Sequence, residues 1–221
     1  MEQLHHIVSV IALSMGAAWA SGINLYAAIL TLGLLGATGQ MALPADLQIL
    51  TAPIVIIAAA LMFCVEFFAD KVPGMDTGWD AIHTFIRIPG GALLAAGAVG
   101  DVNPAVMIAA GILGGGLAAG THAAKAGSRV LINTSPEPFT NWMASIGEDV
   151  AVIAGVWAAL IHPWFFLACL AVFIALLVWL LPRLWRGIRV VFTKLGSLLN
   201  RTQTPTVPAG AGDNPVVSDR P

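Results

Sequence analysis

Charge is what this chain has least of. Asp, Glu, Lys and Arg make up 10% of its 221 residues and hydrophobic residues 58%, whereas an ordinary soluble domain is roughly a quarter charged. So few charges cannot keep a surface of this size in water, which excludes a soluble globular fold and makes lipid the main solvent. Cysteine is nearly absent as well. Cys64 and Cys169 each lie inside an apolar run without metal-ligand spacing, which argues against a disulfide framework or a redox centre. Residues 1–6 hold no Lys or Arg, and the apolar stretch after them outruns a signal-peptide core and reaches no cleavage site. The N-terminus is therefore expected to stay in the mature protein. H-E-x-x-H, G-x-S-x-G and paired-cysteine motifs are missing, so neither an enzyme nor a cofactor is expected.

Long apolar runs are abundant. A helix crossing the hydrocarbon core needs about 20 apolar residues, and candidates lie near 7–36, 50–70, 81–100, 104–131, 141–161 and 163–181. The expected fold is an all-α polytopic transmembrane bundle of about six spans within residues 1–185, with short amphipathic interfacial helices. Ile88-Pro89-Gly90-Gly91 interrupts the third candidate, because proline removes a helical hydrogen bond; a re-entrant segment is the alternative there. On a six-span count Lys71, Arg87, Lys125, Arg129, Arg183, Arg186, Arg189, Lys194, Arg201 and Arg220 all fall on the side shared by the termini. Positive charge collects on the inner face, so the expectation is a multi-pass protein of the cytoplasmic (inner) membrane with both termini in the cytoplasm. Residues 183–200 alternate basic and large apolar side chains, as an amphipathic helix on anionic headgroups would. The same apolar residues argue against nucleic acid as a partner. Residues 201–221 read as a disordered tail.

Glu66-Phe67-Phe68-Ala69-Asp70-Lys71-Val72-Pro73, Trp79-Asp80-Ala81-Ile82-His83, Pro136-Glu137-Pro138 and Ser145-Ile146-Gly147-Glu148-Asp149 together resemble the domain-of-unknown-function family 4126 over about residues 10–185. The resemblance implies a bacterial-type multi-span membrane protein and no particular activity. Ala20-Ser21-Gly22-Ile23-Asn24 and Ala119-Gly120-Thr121-His122 share a polar group two positions after a glycine. Two repeats of three spans would have opposite orientations, the inverted-repeat plan of many secondary transporters. Chance similarity between Ala/Gly-rich helices is the other reading.

Ionisable side chains inside spans are expensive, so they are paired, wet or functional. Asn141, Ser145 and Glu148, at i, i+4 and i+7, form one polar stripe with Asp149 beside it; His122, Lys125 and Arg129 form a cationic one; Glu66 and Asp70 stand one turn apart. These nine residues are the candidate substrate or ion site. Thr77 and Asp80 have capping-box spacing, and the short helix they open carries Asp80, His83 or Thr84, and Arg87 on a polar face opposite Trp79, Ile82 and Phe85 or Ile86. This segment is expected to lie along the membrane surface as a gate or lid. Gly22 and Asn24 mark a candidate break in an overlong first span, tilting being the other explanation. Gly111, Gly115, Gly116 and Gly120 have G-x-x-x-G spacing, for packing within the chain or for a homodimer.

Residues 1–182 hold four Lys or Arg and ten Asp or Glu, an acidic host. One function is a small transporter in which Glu66, Glu148 and Asp149 accept a cation or a proton coupled to a small solute, with His122 titrating. Another is a lipid-handling or structural scaffold. A third, an intramembrane enzyme with a mixed metal site, would need ligands to converge from three helices. Against all of these stands a buried ion-pair network that only holds helices in register.

Overall fold

A computed structural model of the chain describes residues 1–72, 74–100, 103–134 and 138–201. The elements are α1 (Glu2–Ala37), a 3-10 turn (Ala45–Thr51), α2 (Pro53–Ala69), α3 (Met75–Val99), α4 (Pro104–Ile132), α5 (Pro138–Ile161) and α6 (Pro163–Arg201). Asp101, Pro136, Glu137 and the tail from 202 lie outside the described residues.

Four helices open on proline, whose fixed φ and missing N–H suit a first helical turn. Asn103 caps α4 by accepting from the Ala105 amide at 2.9 Å. Gly74 and Gly100 flank α3 with φ of 86° and 71°, a region where a side chain would be strained. Their outer faces are apolar: Ile54, Ile57, Leu61, Val65 and Phe68 form an exposed stripe on α2, as Ile108, Ile112 and Leu113 do on α4. Such surfaces belong in lipid rather than water, and the chain is a polytopic helical membrane bundle.

Five helices are long and apolar enough to cross, or six if the 3-10 turn and α2, bent by 68° at their junction, count as one span. The first of these does not run straight. Asn24 has non-helical backbone angles of φ −148° and ψ 98°, and the contacts of α1 reverse direction there. Ser14 donates to the Ala95 carbonyl and Ser21 to the Arg87 carbonyl, so residues 2–23 descend α3 as its numbering falls. Leu25 then packs on Gly90, Gly33 on Leu50, and Leu47 on Gly97, so residues 25–37 climb back. Packing on α5 agrees: Gly16 faces Ala159 and Trp19 faces Gly155, whereas Thr31 and Leu35 share a groove with Val150, Ile153 and Trp157.

α1 is therefore a re-entrant hairpin with its tip at Ile23 and Asn24. Its first limb passes the end of α3, Val10 beside Val99 and Val106, and the chain beyond its second limb returns there, Pro44 beside Gly100. One expectation is refined: the first apolar run is not one straight span, since it turns back on itself at Asn24. Met1, next to Trp164 at the start of α6, lies at the opposite end of the helical bundle from Lys71 and Arg183.

Pro89 sits inside an unbroken α3, which removes the re-entrant alternative for the third candidate. The Ser21 hydroxyl donating to the Arg87 carbonyl at 2.7 Å supplies a donor beside the perturbed turn. α6 likewise runs through Pro182. The Ser21–Asn24 and Thr121–His122 segments differ in structure, one a break and the other uninterrupted helix. Close packing positions the tip: a Cβ on Gly22 would stand 2.5 Å from the Ala118 carbonyl oxygen, so only glycine lets the hairpin reach α4 here.

Candidate functional site

The interior at the hairpin tip is charged. Glu66, Asp70, Asp76, Asp80 and Asp149 are buried acids and Arg87, Lys125 and Arg129 buried cations, with Glu148 at the rim, its side chain 20% exposed. Acids thus outnumber bases two to one among these described residues. Each cation bridges helices. Arg87 donates through Nη2 to Glu66 Oε1 at 2.5 Å and through Nη1 to Asp80 Oδ1 at 2.8 Å. Arg129 donates to Glu148 Oε2 at 2.6 Å, to the Asn141 carbonyl at 3.0 Å and to Asn141 Oδ1. Asn141 Nδ2 in turn donates to the Asp70 carbonyl at 3.2 Å.

Lys125 occupies the centre. Its ammonium donates to Asp70 Oδ2 at 2.7 Å and to the Ile23 carbonyl at 3.0 Å. Glu66 Oε1, Glu148 Oε2 and Asp80 Oδ1 stand at 3.5, 3.6 and 3.8 Å. The Ile23 carbonyl is free to accept because α1 breaks: the Ala27 amide, its helical partner, donates instead to Asn24 Oδ1 at 2.9 Å. Asn24 is thereby the N-cap of the second limb, and its Nδ2 donates to Asp149 Oδ1 at 2.9 Å. One residue satisfies both halves of the break and ties it to α5.

The hydrogen bonds place ring protons on two buried histidines. An arginine only donates, so His122 Nδ1, 3.0 Å from Arg87 Nη1, is an acceptor. The His122 proton sits on Nε2, facing the Asp80 carbonyl at 3.1 Å and Thr84 Oγ1 at 2.8 Å. His83 Nδ1 donates to the Trp79 carbonyl at 2.9 Å, and its Nε2 shares a hydrogen bond with the Tyr26 hydroxyl at 3.1 Å. The His122 ring is neutral in this arrangement.

Among the described residues, four buried carboxylate oxygens have no hydrogen-bond partner: Glu66 Oε2, Asp70 Oδ1, Asp80 Oδ2 and Asp149 Oδ2; Ser145 Oγ has none either. A bare buried acceptor costs about 1–3 kcal/mol, more when charged, so these oxygens are places for protons, water or a cation. Lys71, in the turn beyond α2, lies over the Phe67 ring. Partial burial holds its pKa below the ordinary lysine value.

All nine residues of the expected ion site meet in or beside this cluster. Gly22 and Asn24 are at its tip. Asp80, His83 and Arg87 are placed differently from the expected lid: they form the buried face of α3, and Arg87 is fully enclosed, while Ile82, Phe85 and Ile86 are exposed. The polar face turns inward because carboxylates await it there. Burial of Arg87, Lys125 and Arg129 also removes them from the positive-inside argument, since they are not loop charges. Thr77 does not cap α3; Asp76 accepts from the Gly74 and Thr77 amides and from Asn133 Nδ2 at 2.9, 2.6 and 2.8 Å.

Asp76, Asn133 and Tyr26 were missed by the sequence reading. Tyr26 carries a signal, being the one tyrosine in the chain. Among the described residues no group of three or more His, Cys, Asp or Glu is placed to hold a metal ion.

Residues 11–183 match the model of a family described as Domain of unknown function (DUF4126). No curated protein and no solved structure matches the chain.

Proposed function

The chain belongs to the domain-of-unknown-function family 4126, and we propose that it is an ion-handling, transporter-like membrane protein whose buried cluster exchanges a proton or a cation with one membrane face. The observation that carries this reading is the excess of buried acid at a broken helix. Three cations cannot neutralise Glu66, Asp70, Asp76, Asp80, Glu148 and Asp149 together. In a low-dielectric interior the remainder must be balanced by protons or by a mobile cation. Re-entrant helix tips with freed carbonyls are a recurring way to hold such ions at membrane depth. Glu148, the one acid at the rim, is the entry point.

The end holding Lys71, Arg183 and Arg186 faces the cytoplasm in this proposal, in the inner membrane, with those side chains against anionic headgroups. Glu2, Asp46 and His162 mark the other face. Purified protein in liposomes tests the reading: Glu148→Gln abolishes ion flux that the wild type supports, and equal flux from both refutes it.

A second reading is favoured by the short closed pairs of Arg87 and Arg129 and by two grooves lined mostly by apolar side chains away from the cluster. Here the network is a clamp holding α2 to α5 and the protein is a scaffold. Glu148→Gln would then lower thermal stability in liposomes that never showed flux.

A further inference from the structure

The six acids of the cluster are held in different ways. Glu66, Asp70, Asp80 and Glu148 each have an oxygen within 2.8 Å of Arg87, Lys125 or Arg129. Asp76 accepts from two backbone amides and from Asn133. Asp149 has neither kind of support. Its partner among the described residues is neutral, the Asn24 side chain, which donates through Nδ2 to Oδ1 at 2.9 Å. Oδ2 is buried without a partner, on a residue 7% exposed. The charges that face Asp149 are Lys125 from α4, Asp70 from the end of α2 and Lys71 from the turn beyond. Both lysines are engaged elsewhere, Lys125 by Asp70 and the Ile23 carbonyl, Lys71 by the Phe67 carbonyl.

A carboxylate taken out of water with no cation beside it is too costly to persist, and such a group keeps its proton instead. Oδ1 already accepts a hydrogen bond, so the proton belongs on Oδ2. Ser145 lies one turn earlier on the same face of α5, 1% exposed, with its Oγ also unpartnered. A hydroxyl there can accept from a protonated Oδ2 and donate to an ionised one, so it can satisfy either state of the acid. Glu148, the preceding residue, is 20% exposed and opens the site toward the rim. We infer that Asp149 is the proton-binding group of this protein: Oδ2 takes up and gives back one proton, with Ser145 as its hydrogen-bond partner and Asn24 coupling the change to the hairpin tip. The proton comes from water at the Glu148 rim and returns to it, and no other covalent bond changes. The inference rests on the ion-handling reading and makes its ion a proton held at one residue.

Infrared spectra of the full-length protein test it, because a protonated carboxyl has a carbonyl stretch that a carboxylate lacks. Near neutral pH the wild type shows such a band, and Asp149→Asn loses it. Asn24→Ala retains the band at a higher frequency, since the donor on Oδ1 is gone. A band unchanged by Asp149→Asn overturns the inference. Should Asp149→Asn not fold, Asn24→Ala decides: a band that does not shift, or a wild type without one, overturns it. Melting temperature is a second readout. A folded state that holds a proton released by the unfolded chain loses stability as pH rises. The melting temperature of the wild type relative to Asp149→Asn therefore falls as pH is raised from about 4, where an unfolded aspartate gives up its proton. A difference that stays flat with pH overturns the inference. Proton binding does not require flux, so the band without proton flux in liposomes sinks only the transport reading. Proton flux that survives in Asp149→Asn sinks only this site.

Discussion

Arg87 Nη1 donates to His122 Nδ1 across 3.0 Å, and the same Nη1 donates to Asp80 Oδ1 at 2.8 Å. The histidine thus orients the guanidinium that joins α2 to α3, and its proton is confined to Nε2. A doubly protonated ring would set two N–H groups against each other at Nδ1. The expected outcome is that ¹⁵N spectra of histidine-labelled protein contain one ring with an unprotonated Nδ1 that persists across neutral pH. A His122 ring carrying both protons there would remove this account. His122→Ala should destabilise by about 1–3 kcal/mol, the cost of a buried donor left without its acceptor.

Asn24 performs two tasks with two atoms, and they can be exchanged with its partner. Asn24→Ala loses both the cap on the Ala27 amide and the donor to Asp149, which should cost about 2–4 kcal/mol from a lost cap plus an orphaned buried acid. Asn24→Asp keeps the cap but sets two carboxylates together. Combining Asn24→Asp with Asp149→Asn restores one donor and one acceptor across the same gap, so the double variant should melt higher than Asn24→Asp alone. A double variant no more stable than that single one would show that the pairing does not hold the break.

How much of this was legible before the coordinates follows from the same residues. Helical spacing put Glu66 with Asp70, and His122 with Lys125 and Arg129, on shared faces, and the cost of charge in lipid then required those faces to meet. The pattern was local and the energy large. The fold-back of α1 was not legible as such, because residues 7–36 are apolar on both sides of Asn24 and length alone reads as one tilted span. What turns the chain is the Asn24 cap, tied to Asp149, and the freed Ile23 carbonyl, tied to Lys125, both partners more than a hundred residues away. The lid was misplaced for a related reason. Asp80, His83 and Arg87 make an amphipathic face, and amphipathicity does not say whether the polar side meets headgroups or buried acids.

The Arg87–Glu66 pair supplies a thermodynamic test of the cluster. Both side chains are fully buried and 2.5 Å apart, so removing either leaves an uncompensated charge, at about 3–5 kcal/mol. Glu66→Gln and Arg87→Met should each destabilise on that scale. Together they should fall short of the sum by at least ~1 kcal/mol, since contacting residues do not add. Strict additivity in melting curves would mean that the two are not coupled.

The hairpin makes a sided prediction that a six-span chain does not. Met1 and His5 stand near Trp164, and Val72 lies in the turn between α2 and α3 at the far end of the bundle. In a background with Cys64→Ala and Cys169→Ala, which removes two cysteines exposed on the helix surfaces, His5→Cys and Val72→Cys are single labelling sites on exposed residues. A membrane-impermeant maleimide added to intact cells should modify His5→Cys at once and Val72→Cys only after permeabilisation. With six crossings both positions share a face and label together. Equal labelling of the two in intact cells would mean that residues 2–37 cross the bilayer and that the contacts of α1 on α3 and α5 do not reverse at Asn24.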